Sequence, residues 1–165
     1  MKAATLDTCA VIAAFDKTRF GHVAMCLLKE AWERGQVRLV ISRRTLHELR
    51  KKPDNALAFA EKLEVLPYYA IGDWNDCDDV SWDQLGGTWD DAARMDGLQR
   101  ALPVRKKVKI KDRGILVDSM QAGIRIVVTT DDYVLSRANG VQRAMGVRPA
   151  TPDDAVKTLL GGDGK

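Results

Sequence analysis

Short apolar segments alternate with helical patterns along this sequence, and this alternation is the feature that most limits the possible folds. The segments are residues 3–7 (AATLD), 37–41 (VRLVI) and 125–129 (RIVVT). Each has the length of one buried strand, and helical periodicity fills the stretches between them. Strands separated by helices favour a parallel sheet that is covered on both faces. We therefore expect an α/β fold, a three-layer α/β/α sandwich with a central, mainly parallel sheet.

Helices are predicted from the spacing of apolar residues and from residues that start or stop helices. The expected helices cover residues 8–15, 21–34, 43–52, 54–64, 89–101, 113–122 and the stretch after Thr151. Thr151 followed by Pro152 and two aspartates is typical of a helix start. Val147 is expected to begin a short edge strand. At 165 residues, the simplest interpretation is one domain over residues 1–160 with a flexible tail, 161–165.

The composition is that of a globular protein and is only mildly basic. A formal charge of +3, from 26 basic and 23 acidic side chains, is compatible with a polyanionic partner without requiring one. The three cysteines form no CxxC pair, so neither a zinc cluster nor a disulfide framework is indicated, and a cytoplasmic location is expected. Since no uncharged apolar run approaches about 20 residues, no membrane span is expected.

One long connection differs from the rest of the chain. Residues 73–91 contain seven aspartates, no basic residue and three of the four tryptophans. In residues 105–113, by contrast, six of nine side chains are basic. We interpret residues 73–104 as an elaborated acidic and Trp-rich segment within the single domain.

Aspartates lie at the carboxyl ends of the first and third predicted strands. Asp7 ends the first strand, and Asp131 follows the run VVTT. Ligands of such sheets bind beyond the carboxyl ends of the strands, and clustered carboxylates there repel unless a cation neutralises them. Hard oxygen ligands suit Mg²⁺ or Mn²⁺, which can activate water against a phosphodiester. The alternative is that each aspartate only caps a helix, and Asp132 competes with Asp131.

Two further acids precede or follow the central strands. Glu48 lies at the edge of the buried face of its predicted helix, or it pairs on the surface with Arg44 or Lys52. Asp112 opens the helix before the third strand, where it could be a simple cap. Asp118, six residues further on, competes with Asp112, but it lies about 240° round the helix. Both could not easily face the same metal, and we prefer Asp112.

Taken in order, several segments resemble the motifs of the PIN-domain ribonucleases, the family that contains the VapC toxins. LDTCAVIAAF resembles the opening strand with its aspartate and hydroxyl residue, and ISRRTLHELR resembles the second motif with its embedded glutamate. KDRGILVDSMQAGIRIVVTTDDYVL is similar to the third and fourth motifs, and VRPATPDDAVKTLL resembles the last strand and helix. The resemblance covers roughly residues 1–70 and 105–160.

The resemblance implies an endoribonuclease that depends on Mg²⁺ or Mn²⁺ and acts as the toxin of a toxin–antitoxin pair. The catalytic acids that it implies are Asp7, Glu48, Asp112 and Asp131. In the expected mechanism, Asp7, Asp112 and Asp131 bind the metal, and Glu48 helps to bind it or orients the attacking water. Thr8 and Thr129 match the hydroxyl positions of the first and fourth motifs. The implied partners are RNA and a cognate antitoxin, and we also consider a homodimer.

Basic residues flank the second and third acidic motifs. The candidates for contact with an RNA backbone are Arg43, Arg44, Arg105, Lys106 and Lys107. Solvated surface charge, or pairing of residues 105–111 with the acidic residues 73–91, explains them equally well.

Two other functions remain open at this point. One is a catalytically silent PIN-like module that binds RNA or a partner. The other is a haloacid-dehalogenase-like phosphatase, which also has an aspartate after its first strand. Such a phosphatase needs a second aspartate two positions further on, where this chain has Cys9. We expect Cys9 to be a small packing residue.

Overall fold

The computed structural model describes residues 1–51, 54–67, 89–103 and 110–161. The strands are β1 (Ala3–Leu6), β2 (Arg38–Ser42), β3 (Glu64–Leu66), β4 (Ile126–Val128) and β5 (Arg148–Ala150). The helices are α1 (Thr8–Ala13), α2 (His22–Glu33), α3 (Arg43–Leu49), α4 (Asn55–Ala60), α5 (Trp89–Ala101), α6 (Ile110–Gln121), α7 (Asp132–Leu135), α8 (Ala138–Met145) and α9 (Pro152–Leu160). Strands and helices alternate as expected, so the fold is α/β.

The five strands form one sheet in the order β3-β2-β1-β4-β5, and every neighbouring pair is parallel. The sheet is therefore wholly parallel where a mainly parallel one was expected. From β1 the chain adds β2 and β3 on one side and, later, β4 and β5 on the other. The carboxyl ends of β1 and β4 are thus the point where the strand order reverses, which is where ligands bind in open α/β sheets.

Helices cover both faces of the sheet, as a three-layer sandwich requires. Successive strand residues point to opposite faces, and the packing follows this rule. In β4, Val128 packs with the core that includes helices α1, α2, α4 and α9, whereas Val127 packs with the core that includes α5, α6 and α8. In β1, Leu6 belongs to the first core. Thr5 faces the other way, and its Oγ1 accepts a hydrogen bond of 2.8 Å from Ser119 of α6.

The predicted helix over residues 54–64 is wrong in its second half. Helix α4 ends at Ala60, and Glu64–Leu66 form the edge strand β3 beside β2. Leu66 is buried, while Glu64 is exposed and pairs with Arg38 of the neighbouring strand. The mixture of charged and apolar residues in EKLEVL, residues 61–66, suits a helix or a strand over so short a stretch. The open edge of β2 decides between the two structures.

Other boundaries agree more closely. The predicted helix over residues 89–101 is confirmed, and the edge strand expected from Val147 is β5. Thr151 caps α9 through its side chain, with Pro152 at the first helical position. Helices α7 and α8 were not predicted.

Several predicted features lie outside the described residues. They are most of the elaborated acidic segment, the basic residues Arg105, Lys106 and Lys107, and residues 162–165 of the expected tail. Among the helices that the structure describes, none combines the length and apolarity needed to cross a membrane.

Candidate active site

The ends of β1 and β4 meet at the point where the strand order reverses. Asp7 follows β1 directly, and Thr129 follows β4 directly. The backbone N–H of Asp7 donates to the carbonyl oxygen of Val128 at 3.0 Å, which extends the pairing of the two strands past the end of β1. Side chains that leave these two strand ends are therefore held close together.

Asp7 uses its two carboxylate oxygens for different purposes. Oδ1 accepts a hydrogen bond of 2.7 Å from the backbone N–H of Thr8, which makes Asp7 the N-cap of α1. Oδ2 accepts hydrogen bonds from Thr129 Oγ1 at 2.9 Å and from Cys9 Sγ at 3.1 Å. The capping role that the sequence allowed is thus real, but it occupies one oxygen and leaves the other directed toward β4.

Asp131 is arranged in a similar way at the end of β4. Its Oδ1 accepts from the backbone N–H groups of Tyr133 and Val134, at 2.8 and 3.0 Å, and so caps α7. Its own N–H donates to Thr129 Oγ1 at 3.1 Å. Since the same hydroxyl donates to Asp7, Thr129 joins the two aspartates. Asp132, the rival residue, lies exposed in the first turn of α7.

Glu48 reaches the same place from α3. Its Oε2 accepts a hydrogen bond of 2.5 Å from Thr8 Oγ1, while the N–H of Thr8 is bonded to Asp7. Thr8 therefore joins Glu48 to Asp7, as Thr129 joins Asp131 to Asp7. We call the continuous set Asp131–Thr129–Asp7–Thr8–Glu48 the strand-end network. It contains three of the four predicted acids and both predicted hydroxyl residues.

The electrostatic environment of Asp7 disfavours its negative charge. The side chain keeps some exposed surface, yet protein atoms surround most of it. Burial raises the pKa of Asp7 above its ordinary value, repulsion from Glu48 raises it further, and hydrogen bonds from Cys9, Thr129 and Thr8 oppose the shift. Within the described ranges, no ion pair joins a basic side chain to Asp7.

Cys9 is part of this site, although the sequence indicated only a packing residue. Its thiol donates to Asp7 Oδ2, lies 3.3 Å from Thr129 Oγ1 and accepts a hydrogen bond of 3.2 Å from the N–H of Thr130. Burial, followed by the charge of Asp7, raises the pKa of the thiol to about 11, so Cys9 is a neutral donor at physiological pH. The only sequence signal for this role was the position of Cys9, two residues after Asp7.

Asp118 faces a different environment from the strand-end network. It is fully buried, and its Oδ2 lies 3.9 Å from Nε of Arg44, whose side chain is only 11% exposed. Arg44 packs against Gly114 so closely that a Cβ atom there would collide with the guanidinium group. The contact of α3 with α6 therefore depends on a glycine. Arg44, one of the predicted RNA contacts, is placed as a buried partner of Asp118.

Asp112 and Arg43 are described but stay predictions as site residues. Asp112 lies in the first turn of α6 and is half-buried. Asp112 lies two residues before Gly114 in α6, and Glu48 lies one turn after Arg44 in α3. Because Arg44 contacts Gly114, the segment that carries Asp112 lies near the segment that carries Glu48. Arg43 is exposed at the start of α3.

The donor set of the strand-end network fits a small, hard cation. Its carboxylate and hydroxyl oxygens are the ligands that Mg²⁺ and Mn²⁺ prefer. Among the described residues, no group of three or more His, Cys, Asp or Glu side chains is arranged to hold a metal. Mg²⁺ does not require such a cage, since it is commonly held by one or two carboxylates, water and substrate phosphate.

Comparisons with known proteins assign no family. No family model matches the sequence, and no curated protein matches it. The fold class therefore rests on the structure, and the resemblance to PIN-domain ribonucleases rests on the sequence motifs.

Proposed function

We propose that this chain is a divalent-metal-dependent endoribonuclease that hydrolyses RNA phosphodiester bonds. The observation that carries the proposal is the strand-end network, in which hydrogen bonds of Thr8 and Thr129 join Asp7, Glu48 and Asp131 where the strand order reverses. A carboxylate that is buried beside a like charge is costly to ionise, and a cation bound there would remove that cost. The motif resemblance supports RNA as the substrate.

The proposed roles rest on the hydrogen bonds, except that of Asp112, which rests on the motif resemblance. Asp7 and Asp131 would hold the metal with Asp112, through oxygens that are not committed to capping α1 and α7. Thr129 fixes the relative positions of Asp7 and Asp131, because its hydroxyl contacts both. Glu48, oriented by Thr8, would accept a proton from the attacking water or complete the metal site. A bound Mg²⁺ or Mn²⁺ would supply Lewis acidity toward the scissile phosphate.

The wider setting is proposed from the resemblance alone. It consists of a toxin role in the cytoplasm, inhibition by a cognate antitoxin, and a homodimer. Of the predicted RNA contacts within the described residues, the exposed Arg43 fits a phosphate contact better than Arg44, which is directed to Asp118.

The test is RNA cleavage by purified variants in Mg²⁺, in Mn²⁺ and in excess EDTA. D7N and D131N should each lower the cleavage rate by more than about 100-fold, because each loses a charged metal ligand. D54N is the matched control, since Asp54 caps α4 through hydrogen bonds to Ala56 and Leu57 as Asp131 caps α7, but lies outside the network. D54N should cleave at nearly the wild-type rate.

The outcomes separate the proposal from its alternatives. Metal-dependent cleavage that survives in both D7N and D131N would refute the assignment of these residues. RNA binding that is insensitive to metal, with no cleavage by the wild type, would favour the silent module. Hydrolysis of small phosphomonoesters but not of RNA would favour the phosphatase, which the thiol of Cys9 at the second aspartate position already disfavours.

A further inference from the structure

A second candidate binding site lies at the opposite edge of the sheet. It is an open groove with a volume of about 740 Å³, formed beside the amino ends of β4 and β5. Arg125 precedes β4 and Arg148 begins β5, whereas the strand-end network follows the carboxyl ends of β1 and β4. The groove is therefore separate from the proposed active site and does not depend on the nuclease proposal.

Arginines from three separate parts of the chain line this groove. They are Arg94 of α5, Arg125 before β4 and Arg148 of β5, and all three are exposed. The N–H of Arg148 donates to the carbonyl oxygen of Arg125 at 2.8 Å, which fixes these two residues side by side. Among the lining residues that the structure describes, none is an aspartate or a glutamate. We call it the arginine groove.

Two other arginines on the described surface have acidic partners. Arg34 pairs with Glu30, and Arg38 pairs with Glu64. Over the residues that the structure describes, no acidic side chain forms an ion pair with an arginine of the groove. The groove therefore keeps a concentrated positive charge that is available to an anionic ligand.

The floor of the groove is apolar. Met120 and Ile126 are half-buried and present surface to the groove, whereas Ile124, Met145 and Val147, each at most 3% exposed, add little. Small-molecule sites combine such a floor with a few polar groups and have volumes of roughly 300–1,000 Å³. Guanidinium groups bind phosphate oxygens in pairs and also stack on the faces of nucleobases.

We propose that the arginine groove binds a nucleoside phosphate, with the base on the apolar floor and the phosphate on the arginines. The source is a free nucleotide or one nucleotide of an RNA strand, because both present the same chemistry. A bare anion would leave the apolar floor uncovered, so the groove should prefer a nucleoside phosphate to inorganic phosphate.

The experiment is calorimetric titration of the full chain in EDTA, which prevents metal-dependent binding and cleavage at the acidic site. The probes are adenosine 5′-monophosphate, a single-stranded RNA hexamer and inorganic phosphate. R125E and R148E should each weaken binding of the nucleotide probe by about 10-fold or more, since each replaces a charged donor by a repelling group. R143E is the matched control, because Arg143 is exposed on α8 but does not line the groove.

Each result has a defined meaning. Tight binding of the mononucleotide identifies a free nucleotide as the ligand, and binding of the hexamer alone identifies an RNA strand. The proposal is overturned if neither probe binds, if R143E weakens binding as much as R125E does, or if inorganic phosphate binds as tightly as the nucleotide. Loss of RNA cleavage in D7N does not bear on these outcomes, so the two proposals can fail separately.

Discussion

Asp7 and Asp118 are both acids set into the protein, but their surroundings differ in kind. Asp118 is fully buried in α6 and faces the guanidinium group of Arg44, which is itself nearly buried. Asp7 lies at the end of β1 among hydroxyl, thiol and N–H donors, with Glu48 as a neighbouring like charge. One acid is neutralised inside the protein, and the other is held in place by neutral donors.

This difference separates a structural acid from a candidate ligand. The ion pair with Arg44 offsets the charge of Asp118 inside the protein, so no added cation is needed there. Neutral donors orient the carboxylate of Asp7 without cancelling its charge, and Glu48 adds to the negative potential. The surroundings of each acid, more than its position in the sequence, indicate whether it belongs to a functional site.

The largest expected effect is on stability, at the buried pair. D118N should lower the free energy of unfolding by about 3 kcal/mol, because Arg44 keeps its charge in a nearly buried position. Urea unfolding followed by circular dichroism measures the change. Cleavage by the folded fraction should persist, since Asp118 lies outside the strand-end network.

The double variant R44M/D118L provides the control for this effect. It removes both charges, so it should recover most of the lost stability. A cost below about 1 kcal/mol for D118N would show that the pair does not neutralise Asp118 as described.

The sequence could show that Asp112 and Asp118 lie on different faces of one helix, but it could not show what each face contacts. Six residues along a helix put the two acids on different faces, which is a local property. Which face turns toward α3 depends on the contact between Arg44 and Gly114, and these residues are 70 positions apart in the chain. The only partners that local spacing could offer Arg44 were on its own helix, and Glu48 was one of them.

The strand-end residues were easier to predict because their positions follow from the strands themselves. An aspartate at or just beyond the carboxyl end of a buried strand lies at the edge of a parallel sheet, so Asp7 and Asp131 could be expected near one another. Strand β3 was missed because three residues carry too little periodicity to outweigh the preceding helical pattern. Cys9 was missed because a thiol after an aspartate is as consistent with packing as with hydrogen bonding.

The next largest effect is expected from replacing Cys9, which tests whether its thiol positions Asp7. C9A removes the donor to Asp7 and the acceptor for the N–H of Thr130, so it should lower the cleavage rate by about 10-fold. It should also raise the Mg²⁺ concentration needed for half-maximal rate, which a purely structural role would leave unchanged. C9S keeps a donor and an acceptor at this position and should stay close to the wild type. Equal rates for C9A and the wild type would show that the thiol only fills space.

The smallest expected effect concerns the charge of Asp7 itself, measured in EDTA. The pKa of Asp7 is raised in the folded protein from its ordinary 3.8, so the folded state binds its proton more tightly than the unfolded state does. The resulting stabilisation is fully present below pH 3.8 and is lost as the pH rises through the higher, folded pKa. D7N has no titrating group at position 7, so its stability does not fall with pH for this reason.

The unfolding free energy of D7N relative to the wild type should therefore rise with pH over this interval and then level off. D54N, which alters an acid that only caps a helix, corrects for the loss of a carboxylate at an N-cap. If the unfolding free energy of D7N relative to the wild type instead falls as the pH rises, the metal-free protein favours the ionised form of Asp7. Adding Mg²⁺ at neutral pH should then stabilise the wild type but not D7N, because only an ionised Asp7 gains a counter-charge from the metal. Asp118 needs no such metal, since Arg44 already supplies its counter-charge.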